Sequence, residues 1–259
     1  MEMNYKSLFD LTNRNAIVVG GGTGIGEGVC HGFADFGANV AVVDINGSDA
    51  ERVSQELRSQ GVKSIGVQCD ITQPDAVTAA VDQIAEAFGT IDILFNSAGI
   101  VMRHEAQDMP EENFDKVVKV NLYGTFHFCR DVGRHMIEQG HGGKIINMAS
   151  ISAHVGIPCT VNYCASKGGV VAFSRCLATE WAEHNINVNT ISPSHIRTNM
   201  IQRVMDADPS KEAFFKGNIL FGRLGEVQDV VGAAIFLAAD SGSFITGTTI
   251  IVDGGHSAR

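Results

Sequence analysis

Basic residues are scarce in this sequence, which has 19 lysines and arginines against 29 acidic residues and a formal net charge of -10. This balance argues against nucleic acid or an anionic membrane as the main partner. No apolar run approaches the ~18 residues of a membrane span, and residues 1–12 contain no apolar core of signal-peptide length. We therefore expect a cytoplasmic protein that acts on a small, polar molecule.

Patterns typical of metal sites and disulfide frameworks are also missing. None of the six cysteines forms a C-x-x-C pair, and none of the nine histidines forms an H-x-x-x-H pair. We expect reduced, mostly buried thiols and no bound metal. Only 5 prolines interrupt a chain that is 44% hydrophobic, so a sizeable core can form.

The sequence contains a regular alternation of short β-branched runs and helical segments. Parallel strands need crossover helices on both faces of the sheet, so the alternation predicts an α/β fold. We predict one domain over residues 1–259, a Rossmann fold with a doubly wound, seven-stranded parallel sheet. The predicted strands are 16–20, 40–44, 64–68, 93–96, 144–148, 187–192 and 249–252, and the predicted helices are 25–36, 49–60, 75–88, 111–138, 162–184 and 226–239.

A glycine-rich turn, Gly20-Gly-Gly-Thr-Gly-Ile-Gly26, links the first strand to the first helix. Glycines allow a tight turn and a close approach to a pyrophosphate at the positive end of that helix. Asp44 ends the second strand 18 residues after Gly26, near the position of a carboxylate that accepts hydrogen bonds from an adenosine ribose. The pattern predicts a dinucleotide site.

Tyr163 and Lys167 are four residues apart in a predicted helix, so their side chains share one face. A free tyrosine titrates near pH ~10, and a nearby positive charge lowers the pKa of the phenol. We expect Lys167 to lower the pKa of Tyr163, which could then move a proton on or off an alcohol oxygen.

Taken together, these motifs resemble the short-chain dehydrogenase/reductase family over residues 8–255. The resemblance implies a catalytic tetrad in which Tyr163 is the acid/base and Lys167 lowers its pKa and binds the nicotinamide ribose. Ser150 would hold the reacting oxygen, and Asn121 would hold a backbone distortion and support a proton relay. The cofactor residues that it implies are Gly20, Gly22, Thr23, Gly24, Ile25, Gly26, Asp44, Ile45, Asp70, Ile71, Asn96, Ala98, Gly99, Tyr163, Lys167, Pro193, Ile196 and Thr198.

Three positions depart from the family motifs. Val19 stands where threonine is usual, which removes a hydroxyl hydrogen bond, and Ser97 replaces the second asparagine of N-N-A-G. Ser194 replaces a glycine, so the loop path would change if that residue must adopt positive φ.

Three functions remain open. The first is an NAD-dependent oxidoreductase acting on a secondary alcohol or ketone, the second an NADPH-dependent 3-oxoacyl-thioester reductase that docks an acyl carrier protein, and the third a non-catalytic dinucleotide-sensing regulator. The intact tetrad argues against the sensor. The lack of a basic residue in 20–26 or just after Asp44, at Ile45 and Asn46, argues against NADPH, and we expect no nearby cation to offset Asp44.

The expected substrate wall is rich in hydrogen-bonding groups, which favours a hydroxyl-rich substrate over an acyl chain. We expect this wall to contain Met102, Arg103, His104, Ser152, His154, Asn162, Ser194 and His195. Residues 180–189 and 252–259 resemble the gluconate and deoxygluconate dehydrogenase branch, which implies a polyol, sugar or sugar acid as substrate. Arg103 is then either a carboxylate anchor or a surface charge. We predict that residues 195–221 form a substrate lid. Analogy with the family implies a homotetramer.

Overall fold

A single parallel sheet forms the centre of the molecule. The computed structural model describes residues 4–258; residues 1–3 and 259, the ends of the predicted domain, lie outside the described residues. All neighbouring strands are parallel, in the order β3-β2-β1-β4-β5-β6-β7, which confirms the predicted sheet. The strands are β1 Asn15–Val19, β2 Asn39–Asp44, β3 Ser64–Gln68, β4 Ile93–Asn96, β5 Gly143–Met148, β6 Ile186–Pro193 and β7 Thr249–Val252.

Helices cover both faces of the sheet. They are α1 Gly24–Asp35, α2 Gly47–Ser59, α3 Pro74–Phe88, α4 Glu111–Val118, α5 Thr125–Gln139, α6 Val161–Glu180, α7 Asn199–Ala207, α8 Ser210–Gly217 and α9 Val227–Ala238. Successive residues of a strand point to opposite faces, so Val18 joins the core beneath α1, α2 and α9, and Ile17 the core beneath α3, α5 and α6. Within 4–258 no helix is both long and apolar enough to cross a membrane.

Local sequence signals set several helix ends. The Asn46 side-chain oxygen accepts a hydrogen bond from the Ser48 N–H at 3.1 Å and caps α2. Pro74 occupies the first turn of α3, where its missing N–H has no intrahelical partner to lose. Gly140 follows α5 in the left-handed conformation, which ends the helix.

The predicted helix 111–138 is not continuous. A π-helical turn, Lys119–Gly124, separates α4 from α5 and contains Asn121. Apolar periodicity runs through this turn with little change, so the pattern could not reveal it. Such π turns occur frequently at functional sites.

The predicted lid contains two short helices, α7 and α8, rather than unpatterned chain. They are 9 and 8 residues long, so neither shows more than about two turns of apolar periodicity. The two helices pack on a small apolar cluster formed by Met205, Phe215, Ile219 and Leu224. This cluster gives the segment a defined position over the carboxyl ends of the strands.

The strand order reverses between β1 and β4, since β1 lies between β2 and β4. In open α/β sheets, ligands bind outside the carboxyl ends of the strands at such a switch point. We therefore expect the ligand site at the loops that follow Val19, Asn96, Met148 and Pro193.

Candidate active site

A cleft of about 500 Å³ opens at this switch point. Most residues of the predicted cofactor and catalytic sets line it, together with the loops after β4, β5 and β6. From those sets the lining contains Gly20, Thr23, Gly24, Ile25, Asp44, Ile45, Asp70, Ile71, Ala98, Gly99, Ser150, Tyr163, Lys167, Pro193, Ile196 and Thr198.

The glycine turn presents bare backbone to the cleft. Gly20 and Gly24 have φ values of 74° and 61°, a region that side chains disfavour. A Cβ on Gly20 would lie 2.7 Å from the Ala98 nitrogen, and one on Gly26 would collide with the Gly20 carbonyl. A Cβ on Gly24 would make only an ordinary van der Waals contact, with Thr198 Cγ2 at 3.5 Å. The turn thus brings the N-terminus of α1 to the cleft, as a pyrophosphate requires.

Asp44 lies at the cleft with its carboxylate held by two backbone groups. Its Oδ2 accepts from the Gly22 N–H and its Oδ1 from the Asn46 N–H, each at 3.0 Å. Gly22 itself lies behind the turn and does not line the cleft, because it packs on Asp44 and Asp49. Gly22 was predicted to contact the cofactor, and this is corrected: in the structure it positions Asp44 instead.

Asp70 lines the cleft, whereas Asn96 lies buried beneath it. The hydroxyl of Thr72 donates to Asp70 at 2.7 Å and its N–H at 2.9 Å, and these bonds lower the pKa of Asp70. Asn96 is 3% exposed, lies beneath the cleft and donates to Asn147 Oδ1 at 2.8 Å. It ties β4 to β5 and does not line the cofactor cleft.

The departures from the family motifs are accommodated locally. The Val19 carbonyl accepts from the N–H groups of Ser97 and Ala98 at 2.8 and 3.1 Å, so backbone bonds join these loops without a threonine hydroxyl. Ser194 is not among the described residues with positive φ, and its N–H continues the pairing of β6 with β7 by donating to Val252. A glycine is therefore not required at position 194.

These features fit a nicotinamide dinucleotide. The turn exposes backbone at a helix N-terminus, Asp44 lies where the first two strands end, and Thr198 borders the far wall. A Cβ on Gly99 would lie 3.2 Å from Asn121 Oδ1 and 3.5 Å from Lys167 Nζ. A flat ring could therefore approach the catalytic side chains closely at Gly99.

Tyr163 and Lys167 meet as their spacing predicts. Lys167 Nζ lies 5.8 Å from the centroid of the Tyr163 ring and donates to the Met148 carbonyl at 2.7 Å. Burial lowers the pKa of Lys167 to about 8. Burial also raises the pKa of Tyr163, and a hydrogen bond with Ser150 and the charge of Arg103 only oppose this in part.

The direction of the Tyr163 pKa corrects the expectation that Lys167 lowers it. The phenolate loses hydration in the cleft, and this cost exceeds the stabilisation from neighbouring groups. The Lys167 ammonium directs its hydrogen bond to a backbone carbonyl rather than to the phenol oxygen.

Ser150 is 8% exposed and lies two residues after the end of β5. Its hydroxyl lies 3.2 Å from the Ser152 hydroxyl, and the Ser152 N–H donates to it at 3.2 Å. These contacts fix the Ser150 oxygen beside Tyr163.

Asn121 supports the site from behind the cleft wall. Its Oδ1 accepts from the Ile100 N–H at 2.8 Å, and its Nδ2 donates to the Ile100 carbonyl at 2.9 Å and to Ser166 Oγ at 3.1 Å. Ser166 in turn donates to the Tyr163 carbonyl at 2.8 Å. Sequence reasoning missed Ser166, although its i+3 spacing from Tyr163 placed it on the same helix face.

The predicted substrate residues divide into two groups. Arg103, Ser152, Ser194 and His195 line the cleft, whereas Met102, His104, His154 and Asn162 do not. His104 pairs with Asn113 at 2.9 Å, and His154 pairs with Ser192 at 2.9 Å, so both rings are engaged in neighbouring structure.

Asn162 as a substrate contact is wrong. It is fully buried; its Oδ1 accepts from the Tyr163 N–H at 2.7 Å, and its Nδ2 donates to the Asn113 carbonyl at 3.4 Å. Asn162 therefore fixes the first turn of α6 against α4.

Arg103 and His195 line the substrate end of the cleft, and Arg103 gives this end its positive charge. The Arg103 guanidinium makes no ion pair or hydrogen bond with another residue of the 4–258 range. His195 stacks on Phe215 with ring centroids 4.2 Å apart. Burial, and then the charges of His256 and Arg103, lower the pKa of His195 to about 4, so this ring is neutral at pH 7.

The cleft also has an apolar wall that sequence reasoning missed. It consists of Ile151, Ile157, Met200, Ile201 and Val204, the last three from α7. The expected wall, rich in hydrogen-bonding groups, is therefore only part of the lining, because one side of α7 turns its apolar residues toward the cleft.

The fold and this constellation define a dinucleotide-dependent oxidoreductase of the single-domain type. A family model described as enoyl-(acyl carrier protein) reductase matches residues 20–257. The chain belongs to the short-chain dehydrogenase/reductase family, whose members bind nicotinamide dinucleotides, and it acts on CH–OH groups.

Several similar proteins are polyol or sugar-acid dehydrogenases by name. D-threitol dehydrogenase of Mycolicibacterium smegmatis is 39% identical over 97% of this chain and 95% of its own. NAD-dependent glycerol dehydrogenase of Listeria innocua is 38% identical over 97% and 96%, and 2-dehydro-3-deoxy-D-gluconate 5-dehydrogenase of Dickeya dadantii 38% over 97% and 98%.

Two solved structures superpose closely. A short-chain dehydrogenase/reductase from Mycobacterium marinum has a TM-score of 0.95 and 36% identity, covering 99% of this chain and 100% of its own. A gluconate 5-dehydrogenase from Burkholderia cenocepacia in complex with NADP and tartrate has a TM-score of 0.94 and 32% identity, with the same coverage.

Proposed function

We propose that the protein oxidises a secondary hydroxyl group of a polyol, sugar or sugar acid with NAD as the hydride acceptor. The observation that carries the proposal is the cleft in which Tyr163, Lys167 and Ser150 meet beside Arg103 and Ser152. The polyol and sugar-acid dehydrogenases that resemble this chain support the same substrate class.

The proposed roles follow from position. Ser150 holds the substrate hydroxyl, and Tyr163 takes its proton as general base. Lys167 anchors the nicotinamide ribose with the ammonium protons that Met148 leaves free, and Asn121 and Ser166 hold the Tyr163 backbone. The nicotinamide, when bound, supplies hydride chemistry that no side chain offers.

Absorbance of the reduced cofactor tests the proposal. The protein is mixed with NAD or NADP and a panel of polyols, sugars, sugar acids, simple aliphatic alcohols and a 3-hydroxyacyl thioester. We expect turnover with NAD and a hydroxyl-rich compound. Turnover of the aliphatic alcohols or the thioester alone would contradict the substrate class, and dinucleotide binding without any turnover would favour the sensor.

Arg103 separates sugar acids from neutral polyols within that panel. An arginine without a protein partner at the cleft suits a carboxylate, which it can bind through two hydrogen bonds. We expect Arg103→Ala to raise KM about tenfold for a sugar acid, about 1.4 kcal/mol, and to change KM for a neutral polyol less than twofold. Equal changes for both substrates would show that Arg103 does not act as a carboxylate anchor.

Asp44 is the proposed determinant of NAD preference. Its carboxylate would accept from the ribose hydroxyls of NAD and repel the 2′-phosphate of NADP. We expect wild type to have a higher kcat/KM with NAD than with NADP. Asp44→Ala should lower the ratio of these two kcat/KM values at least about tenfold, or about 1.4 kcal/mol. Asp49→Asn removes a nearby acid outside the cleft lining and should leave the ratio close to wild type. A wild-type preference for NADP would contradict this assignment.

A homotetramer remains a prediction. Exposed apolar residues that are compatible with contacts between copies include Phe126, which packs edge-to-face on Phe173 with centroids 6.1 Å apart, and Phe244. Exposed apolar residues of this kind could supply the contacts of a two-fold interface.

A further inference from the structure

An arginine lies directly beside the glycine turn. Arg52, in α2, donates through Nη2 to the Gly22 carbonyl at 2.9 Å. Through Nη1 it donates to Glu27 at 2.8 Å and to Glu56 at 3.0 Å. Arg52 lies eight residues after Asp44 in the sequence, and α2 places it beside the turn. That no nearby cation offsets a 2′-phosphate beside Asp44 stays a prediction.

The Gly22 peptide is held from both sides. Asp44 accepts from its N–H at 3.0 Å, and Arg52 donates to its carbonyl at 2.9 Å. A Cβ on Gly22 would lie 2.9 Å from Asp49 Cβ, so α2 packs directly on the turn. Movement of Arg52 would therefore shift the peptide that positions the Asp44 carboxylate.

Two glutamates restrain Arg52 in this position. Glu27 lies in the first turn of α1 and Glu56 one turn further along α2, and both bond the same guanidinium nitrogen. Two carboxylates therefore occupy the Arg52 guanidinium, which leaves it less able to bind a 2′-phosphate beside Asp44.

We propose that Arg52 is a positioning residue for the adenosine end of the cofactor cleft. Glu27 and Glu56 hold it on the Gly22 carbonyl, where it supports NAD binding and cannot serve a 2′-phosphate. Arg52 and its two glutamates are thus a determinant of cofactor choice in addition to Asp44. The inference rests on the proposed NAD-linked function.

Direct binding tests the positioning role without a substrate. Fluorescence titration with NADH should give a Kd about tenfold higher for Arg52→Gln than for wild type, the effect of losing one charge-assisted hydrogen bond to the turn. Arg52→Lys should recover part of the affinity, because an ammonium can still donate to the Gly22 carbonyl. Once the panel has given a substrate, kcat at saturating NAD should stay within about twofold of wild type, since Arg52 acts on binding alone. A lower melting temperature with an unchanged Kd for NADH would overturn the proposal.

Release of Arg52 tests the specificity role. In an Asp44→Ser background, adding Glu27→Gln and Glu56→Gln should lower the Kd for NADPH at least about tenfold, because the guanidinium becomes free to reach a phosphate. Adding Arg52→Gln to that variant should abolish the gain. Persistence of the gain without Arg52 would show a general charge effect and overturn the proposal.

A matched acid on the same helix provides the second control. Glu51 also lies on α2, but it bonds Arg58 at 2.6 Å instead of Arg52. In the Asp44→Ser background, Glu51→Gln should improve NADPH binding less than Glu27→Gln does, and equal effects would count against the proposal. A wild type that binds NADPH more tightly than NADH would overturn both the proposed function and this inference, whereas an NADH-preferring enzyme insensitive to Arg52 would overturn the inference alone.

Discussion

Tyr163→Phe is expected to lose about 10³-fold in kcat and to bind NADH as wild type does. The phenol oxygen is the group in the cleft placed beside Ser150 to exchange a proton with a substrate hydroxyl, and general acid–base catalysis of this kind contributes about 10²–10⁴-fold. The ring itself remains in the variant, so packing around Lys167 and Gly99 is preserved. Steady-state kinetics with the best panel substrate and a fluorescence titration with NADH measure the two expectations.

The pH dependence gives a second signature of the same residue. Burial raises the pKa of Tyr163, so the deprotonated form that accepts a proton is scarce at pH 7 and becomes more abundant as pH rises. We expect wild-type oxidation to become faster as pH rises toward about 8, above which Lys167 loses its ammonium proton, and the residual rate of Tyr163→Phe to lose this rise. Tyr5→Phe is the control, since Tyr5 is 66% exposed and outside the cleft. Near-normal turnover in Tyr163→Phe would remove Tyr163 from the mechanism.

The sheet could be predicted from sequence because its strands are short runs rich in apolar residues, and the central strands β1, β2 and β4 are buried on both faces. β3, β4 and β7 have the predicted bounds, β2 and β5 differ by one residue at one end, and β1 and β6 differ by one residue at each end. The glycine turn and the tyrosine–lysine pair were also accessible, because their function depends on spacing within one element or across one tight turn. Spacing within one element can be read from the sequence without knowledge of the fold.

The parts that could not be predicted depend on contacts between distant segments. Asn162 precedes Tyr163 and is polar, yet it turns toward α4 and is fully buried. Arg52 looks like an ordinary surface arginine of an amphipathic helix until the fold places it on Gly22. The apolar side of α7 was hidden because a helix of 9 residues gives too short a pattern.

The pKa values show the same limit for electrostatics. The sequence indicates that an ammonium lies near a phenol, but it does not show how much water the two groups lose. In the fold, burial dominates for both: it raises the pKa of Tyr163 and lowers that of Lys167. The Lys167 charge is therefore kept at a cost to stability, which is common for functional residues.

Lys167→Met should accordingly reduce kcat about 10²-fold or more and alter how stability depends on pH. Loss of the ammonium removes the proposed anchor of the nicotinamide ribose and the positive charge beside the Tyr163 ring. The methionine retains an apolar chain of similar length in the same buried space, so the core should remain packed. Kinetics at saturating NAD give the first effect, and chemical denaturation at a series of pH values gives the second.

The sign of the pH effect follows from the lysine's two pKa values. In the folded protein the pKa of Lys167 is about 8, and in the unfolded chain it is near the ordinary lysine value of 10.5. Between these values the unfolded chain binds more protons, so the Lys167 contribution makes wild type more stable as pH rises from 8 toward 10.5. Below pH 8 Lys167 is protonated in both the folded protein and the unfolded chain. Burial of its charge then destabilises the folded protein by the full amount, about 3 kcal/mol.

The free energies of unfolding of wild type and Lys167→Met are compared at pH 7 and again near pH 10. From the lower to the higher pH, wild type should gain up to about 3 kcal/mol relative to the variant. The comparison cancels the titration of every other group and also the constant effect of losing the bond to the Met148 carbonyl. Lys211→Met, which removes an ammonium whose side chain is 47% exposed, controls for the loss of one positive charge. A difference between wild type and Lys167→Met that stays constant from pH 7 to 10 would mean that Lys167 keeps its ordinary pKa in the fold, and the buried, desolvated ammonium beside Tyr163 would then be the wrong description of this site.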